Sequence, residues 1–194
     1  MIYSERFEEA LRYAARLHRA QMRKGTNIPY VTHLLAVAAI VGENGGTEDE
    51  VIAALLHDAI EDQGGAAARE EIRRRFGDAV VSIVDGTSDT DVVPKPPWPE
   101  RKQNYVAHVR GASRSVRLVS AADKLHNARS ILKDLRAEGV AAWRRFNAGR
   151  EDQLWYYREL VDALGEAGRL EDLVEELDEV VTEIKKVEAW LEEC

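Results

Sequence analysis

The stretch TEDEVIAALLHDAIEDQGG, Thr47 to Gly65, decides the fold class. Val51 through Leu56 is apolar nearly all round. Thr47 stands three residues before Glu50, the spacing of a capping box, in which each side chain satisfies the other's backbone N–H at a helix start. The segment therefore reads as a buried helix that Gln63-Gly64-Gly65 brings to an end. That end is crowded with charge. On a helix Asp58, Glu61 and Asp62 fall at i, i+3 and i+4 and share a face, and His57 stacks over Glu61. The carboxylates repel one another, and at a helix C-terminus they also oppose the backbone dipole. A solvated acidic cap tolerates such repulsion at a few tenths of a kcal/mol per pair, roughly. The apolar turns before it point instead to a cleft, where a divalent cation would neutralise the carboxylates and accept a neutral imidazole.

Helical spacing continues outward in both directions. Toward the N-terminus, Phe7, Leu11, Ala14 and Leu17 recur at three and four residue steps behind Ser4, with Glu5 and Glu8 in the first turn, as in a capped helix. THLLAVAAIVGEN reads as a second apolar helix. Beyond the acidic end, AREEIRRRFGDAVVSIVDGTSD reads as two helices broken at Gly77. DVVPKPPWPE, with four prolines in the six residues Pro94 to Pro99, must be a loop, and it is expected to border whatever the chain binds. RKQNYVAHVRGA, VRLVSAADKLHNARSILKDLRAE and REDQLWYYRELVDAL resume the helical pattern. SVRLVSAAD could pass for a strand, but its continuation through Leu125 and Ile131 favours one long helix. From Leu170 to Leu191 the tail is amphipathic with a mostly acidic outer face, so it either packs on the core or makes a homodimer contact.

The expected architecture is all-α: a single helical-bundle domain over 1–165, followed by a C-terminal amphipathic helix over 166–194 packed on it. At 194 residues, with 45% hydrophobic and 32% charged residues, the composition is that of an ordinary globular protein. No run of 18 apolar residues is present, and the first 21 residues alternate charged and apolar types, so neither a membrane span nor a signal peptide is expected. One cysteine, Cys194, excludes an intrachain disulfide and suits a reducing, cytoplasmic setting. A net charge of −8 argues against nucleic acid or a membrane surface as partner. Arg73-Arg74-Arg75 is read as a solvated helix face.

Two further polar residues interrupt apolar helical stretches: His33 in PYVTHLLAVA and Asp123 in SAADKLHNARS. Taken singly, each reads as a satisfied core or surface residue. With His57 and Asp58 they make two histidines and two aspartates, a mixed nitrogen and oxygen shell that suits manganese, iron or zinc better than calcium.

In that order, His33, His57-Asp58 and Asp123 resemble the H…HD…D signature of the HD phosphohydrolase superfamily. QMRKGTNIPYVTHLLAVA, ALLHDAIED and SAADKLHNARS are similar in sequence and order to the hydrolase domain of the RelA/SpoT family and to its single-domain small alarmone hydrolases, the metazoan SpoT homologue among them. The resemblance runs from about Phe7 to Ala163. It implies an HD-domain helical bundle with a manganese ion, or another divalent transition metal, held by His33, His57, Asp58 and Asp123. It implies that Glu61 and Asp62 orient or deprotonate the attacking water, that Arg23 and Lys24 lie near the nucleotide, and that Asn127 helps hold it. Leu34 departs from the family, which has proline after the histidine, and this bears on the local helix start. Lys124 replaces a common arginine, keeping the charge and losing the bidentate fork.

The implied reaction is hydrolysis of guanosine 3′,5′-bis(diphosphate), ppGpp or pppGpp, to GDP or GTP and pyrophosphate, without synthesis. The chemistry suits the residues: a metal lowers the pKa of water, Glu61 and Asp62 can take its proton, and Arg23 and Lys24 offset phosphate charge in an acidic chain. Two other readings compete, an HD-type phosphatase acting on another nucleotide such as NADPH, and a non-catalytic nucleotide sensor. The Glu61-Asp62 pair speaks against a sensor, which has no need to activate water. Tyr156 or Tyr157 could stack a purine, and Lys102 and Tyr105 could reach the ligand. His18, His108 and His126 show no partner in the sequence.

Overall fold

The computed structural model describes residues 3–90, 94–166 and 168–193, leaving aside the side chain at 193. Cys194 and the first three residues of the proline-rich segment, 91–93, lie outside the described residues. The helices are α1 (Glu5–Leu17), α2 (Val31–Glu43), α3 (Glu48–Leu56), α4 (Ala59–Gln63), α5 (Gly65–Phe76), α6 (Asp78–Thr87), α7 (Trp98–Gly111), α8 (Arg114–Glu138), a 3-10 helix (Gly139–Arg145), α9 (Arg150–Glu166) and α10 (Glu171–Glu193). Among the described residues the only extended pairing is an isolated antiparallel bridge between Met22 and Pro29. The all-α class read from the sequence is the class observed.

The chain divides into two compact units, residues 1–95 with 112–122, and residues 96–111 with 123–194. In the first, α3 is the central element. Val51 to Leu56 are all buried, and α3 packs against α1, α2 and α6. Its start is the capping box that the sequence spells out: Glu50 N donates to Thr47 Oγ1 at 3.3 Å and Thr47 N to Glu50 Oε2 at 2.6 Å. Ser4 caps α1 with a single bond, its hydroxyl accepting from Arg6 N at 3.2 Å. The first turns of α8 complete this core. A Cβ on Gly86 would lie 2.5 Å from Val116 Cγ2, so α6 and α8 approach at a distance only glycine permits. Leu34 leaves the helix start intact, since α2 begins at Val31 and the leucine is fully buried.

In the second unit α9 packs against α7 and α10, and α10 also meets the 3-10 helix. Leu173, Leu177, Val181 and Ile184 line the buried face of α10. Trp98, not a residue beyond Pro99, opens α7. Pro99 therefore sits in a first turn, where its missing N–H would have had no intrahelical partner.

One expectation fails locally. The run from Thr47 to Asp62 is not a single helix: α3 stops at Leu56, Asp58 takes φ −98° and ψ 1°, and α4 starts at Ala59. Asp58 thus becomes the N-cap residue of α4, and Glu61 and Asp62 fall in its first turn. The acidic residues stand at the favourable end of a short helix, so the conflict with the backbone dipole disappears and only their mutual repulsion remains.

Arg73, Arg74 and Arg75 are held by carboxylates on the protein's own surface. Arg73 pairs with Glu70 and Asp78, and Glu71 accepts from Arg74 Nη2 at 2.7 Å and from Arg75. These hydrogen bonds, first from Arg74 and then from Arg75, lower the Glu71 pKa to about 2. A carboxylate with a depressed folded pKa stabilises the fold above its unfolded pKa, and the contribution fades as pH falls through the folded one. In a carboxyl-carbon NMR titration Glu71 is expected to remain ionised at about pH 3, where an unrestrained glutamate is mostly protonated. A midpoint near the ordinary glutamate value would refute the pairing.

Candidate metal centre

His33 is the third residue of α2, His57 follows the last turn of α3, and Asp58 opens α4. The break between α3 and α4 is what turns the two histidines and the aspartate toward one point. One donor atom from each of the three residues lies within 4.8 Å of the others. His57 Nε2 is 2.9 Å from Asp58 Oδ2, and His33 Nε2 is 3.8 Å from it. Both histidines are buried, at 1% and 2% exposure, while Asp58 keeps 22% of its side chain in water. The site is therefore enclosed on its nitrogen side and open on its oxygen side.

The orientation of His57 favours a metal. Its Nδ1 lies 2.8 Å from the Ala54 carbonyl, which can only accept, so Nδ1 carries the proton and Nε2 presents its lone pair toward Asp58 and His33. Fixing a histidine ligand through its other nitrogen is the common arrangement at metal sites. Asp58 has a support of its own. The Tyr30 hydroxyl donates to Oδ2 at 2.5 Å, and the Tyr30 ring meets the His33 ring edge-on at 5.4 Å. Two imidazoles and a carboxylate converging in this way fit a divalent transition metal.

Glu61 and Asp62 flank this cluster, and each is held separately. Glu61 accepts from the Asp89 backbone N–H at 3.2 Å through Oε2 and from Lys95 Nζ at 2.7 Å through Oε1. Asp62 Oδ2 accepts from Gln21 Nε2 at 2.8 Å. Although Asp62 retains exposed surface, protein atoms crowd its carboxyl. The loss of hydration raises its pKa, the Asp58 carboxylate raises it further, and the Gln21 bond opposes the rise. Arg23 and Lys24 ride on a hairpin-like loop pinned by Arg23 N to Ile28 O at 2.8 Å and Tyr30 N to Gln21 O at 2.9 Å, with Gly25 at φ 70° in the turn. The Arg23 guanidinium lies 6.0 Å from the centre of the Tyr30 ring, and Lys24 is exposed.

Asp123 and Asn127 belong to the second unit, one turn apart on α8. Asp123 is buried, with Oδ1 accepting from Asn127 Nδ2 at 2.6 Å and Oδ2 from Lys124 Nζ at 2.5 Å. Burial alone would lower the Lys124 pKa. The Asp123 carboxylate, with Tyr156 and Tyr105 beside it, outweighs burial, so the pKa stands well above the ordinary lysine value. Lys124 Nζ also lies 5.2 Å from the centre of the Tyr105 ring, and Lys102 Nζ lies 4.9 Å from that of Tyr156, a residue that is itself buried.

Three residues in this region are absent from the sequence reading: Gln21, Tyr30 and Lys95. Tyr30 had a signal, because an aromatic three residues before His33 at a helix start lies on the same face. Lys95 had a weaker one as the cation of the proline-rich loop, and Gln21 had none.

The HD domain family matches residues 10–154. The guanosine-3′,5′-bis(diphosphate) 3′-pyrophosphohydrolase MESH1 of Xenopus tropicalis is 40% identical over 126 residues, covering 63% of this chain and 68% of the frog protein. The Drosophila melanogaster protein of the same name is 34% identical over 181 residues, covering 91% and 93%. A solved structure described as a metazoan ortholog of SpoT that hydrolyzes ppGpp superposes with a TM-score of 0.74 at 30% identity, covering 94% of this chain and 97% of its own. On the family match over residues 10–154 and on these likenesses, the chain belongs to the HD-domain family, in the branch of the MESH1 and SpoT-like pyrophosphohydrolases.

Proposed function

We infer that this protein is a metal-dependent phosphohydrolase that removes the 3′-diphosphate of guanosine 3′,5′-bis(diphosphate). The observation that carries the reading is the convergence of His33, His57 and Asp58 beside the separately anchored Glu61 and Asp62. A bound divalent cation acidifies water and stabilises charge on the phosphate oxygens. The chain's own residues do the rest. Asp62 and Glu61 orient the water and accept its proton. The water oxygen bonds to the phosphorus attached to the ribose 3′ oxygen, the bond between them breaks, and the 3′ oxygen takes up a proton as pyrophosphate departs. Arg23 and Lys24 balance the phosphate charge, and Asn127 contacts the nucleotide.

The family resemblance, together with a nitrogen and oxygen donor set that suits a divalent transition metal, carries the finer assignment of manganese as the ion and Asp123 as a fourth protein ligand. The hydrolase domain is assigned to 1–165, with 166–194 as an appended helix. A single cysteine and a nucleotide substrate suit the cytoplasm, and among the described residues no helix is long and apolar enough to cross a membrane.

Manganese-loaded protein incubated with ppGpp, pppGpp, NADPH and a simple phosphomonoester tests the reading. Release of pyrophosphate with GDP or GTP is expected. Cleavage of NADPH or the monoester with ppGpp left intact would overturn it in favour of another HD phosphatase, and nucleotide binding without turnover of any of them would make the protein a sensor.

A further inference from the structure

Gln21 stands at the centre of a hydrogen-bond chain that reaches the acidic pair from outside the metal cluster. Its Nε2 donates to Asp62 Oδ2 at 2.8 Å. Its Oε1 accepts from Gln63 Nε2 at 2.6 Å and lies 2.6 Å from His18 Nδ1. The donors can be assigned by elimination. An ionised carboxylate only accepts, so the amide must turn its NH2 group to Asp62, and the carbonyl oxygen then faces the other two. His18 donates from Nδ1.

The rest of the chain keeps this arrangement from drifting. The His18 ring is 2% exposed and stacks on Tyr30 with centroids 5.4 Å apart and planes at 21°. Its Nε2 is buried without a hydrogen-bond partner, so the Gln21 contact alone selects the tautomer. The Gln21 backbone is pinned as well, its N–H donating to His18 O at 3.0 Å and its carbonyl accepting from Tyr30 N at 2.9 Å. Both lone pairs of the amide oxygen and one amide N–H are therefore committed, and the N–H is aimed at a single carboxylate oxygen. Tyr30 in turn bonds Asp58, so the wall of side chains that fixes Gln21 also fixes a proposed metal ligand.

We propose that Gln21 is a positioning residue for Asp62: it holds Oδ2 in one orientation so that Oδ1 is the oxygen left to the attacking water. The proposal rests on the reading of Asp62 as a water-activating group. A glutamine fits this task where a lysine or arginine would not, because it donates without adding a positive charge that would weaken the base.

The test compares kcat, KM and bound metal for the manganese-loaded wild type, Q21M, D62N and the double variant, with ppGpp as substrate. Methionine keeps the length of the side chain and removes its hydrogen bonds. Misorientation of a catalytic group by about 1 Å costs up to 100-fold in rate, so a fall in kcat of about 10- to 100-fold is expected for Q21M. KM should stay within about twofold, metal content should match wild type, and the double variant should be no slower than D62N, since both changes act through one carboxylate. A wild-type kcat, a loss confined to KM or to bound metal, or additive losses in the double variant would each overturn the proposal. Should Q21M fail to fold, Gln63→Leu, which removes one anchor of the same amide, carries the test: a fall in kcat that vanishes in the D62N background supports the proposal, and an unchanged kcat overturns it. D62N with wild-type activity would overturn the assignment of Asp62 itself, and the proposal with it, an outcome separable from all of those above.

Discussion

Asp58→Ala is expected to abolish metal retention and to lower kcat/KM for ppGpp about a thousandfold or more. A metal that acidifies water and stabilises phosphate charge contributes several kcal/mol to the transition state, and each 1.4 kcal/mol, roughly, is tenfold in rate. Asp58 is the anionic member of the cluster, and its Oδ2 lies 2.9 Å from His57 Nε2 and 3.8 Å from His33 Nε2. Alanine removes the carboxylate that lies against both imidazoles, so the ion loses a donor and half of the anionic charge that the proposed ligand set offers it. The fold should survive, because Asp58 caps α4 without a side-chain hydrogen bond and its side chain is not part of the apolar core around α3. Elemental analysis after desalting, pyrophosphate release and circular dichroism together check the result. A variant that keeps both metal and turnover would remove Asp58 from the centre.

Leu56→Ala should give the largest loss of stability. Leu56 is fully buried at the last position of α3, the helix on which α1, α2 and α6 pack. Truncating a buried leucine costs about 2–5 kcal/mol, from lost transfer free energy and the cavity left behind. For a chain of this size that corresponds to a fall in Tm of roughly 5–15 °C. Leu35→Ala on α2 is the matched control. Leu35 is 44% exposed, so its truncation should change stability by only about 0.5 kcal/mol. Thermal unfolding of the two variants decides the point, and equal shifts would contradict the central place of α3. Because His57 follows Leu56 directly, the first variant should also hold its metal less tightly.

The capping box at Thr47, the break at Gly77 and the long helix through Asp123 were legible because each rests on residues within a few positions of one another. The candidate metal-binding residues were legible for a different reason. His33, His57 and Asp58 are polar groups set into apolar helices, and such groups demand a partner wherever the chain folds. The continuous helix expected from Thr47 to Asp62 was not what formed. Periodicity reports which residues can share a face, and it carries no sign that Asp58 leaves the helix to meet a tyrosine 28 positions earlier.

The sequence by itself determined the helical class and singled out the candidate metal-binding side chains and the acidic pair near them, because composition, local spacing and family resemblance all act through the order of residues. Tertiary structure alone decided how those groups are aimed. The turn at His57-Asp58, the hold of Gln21 on Asp62 across 41 positions and that of Lys95 on Glu61 across 34 are contacts between distant segments. They form only when the packing of the α3 core brings those segments together, and a hydrogen bond is too short in range to be encoded by either partner's own neighbourhood.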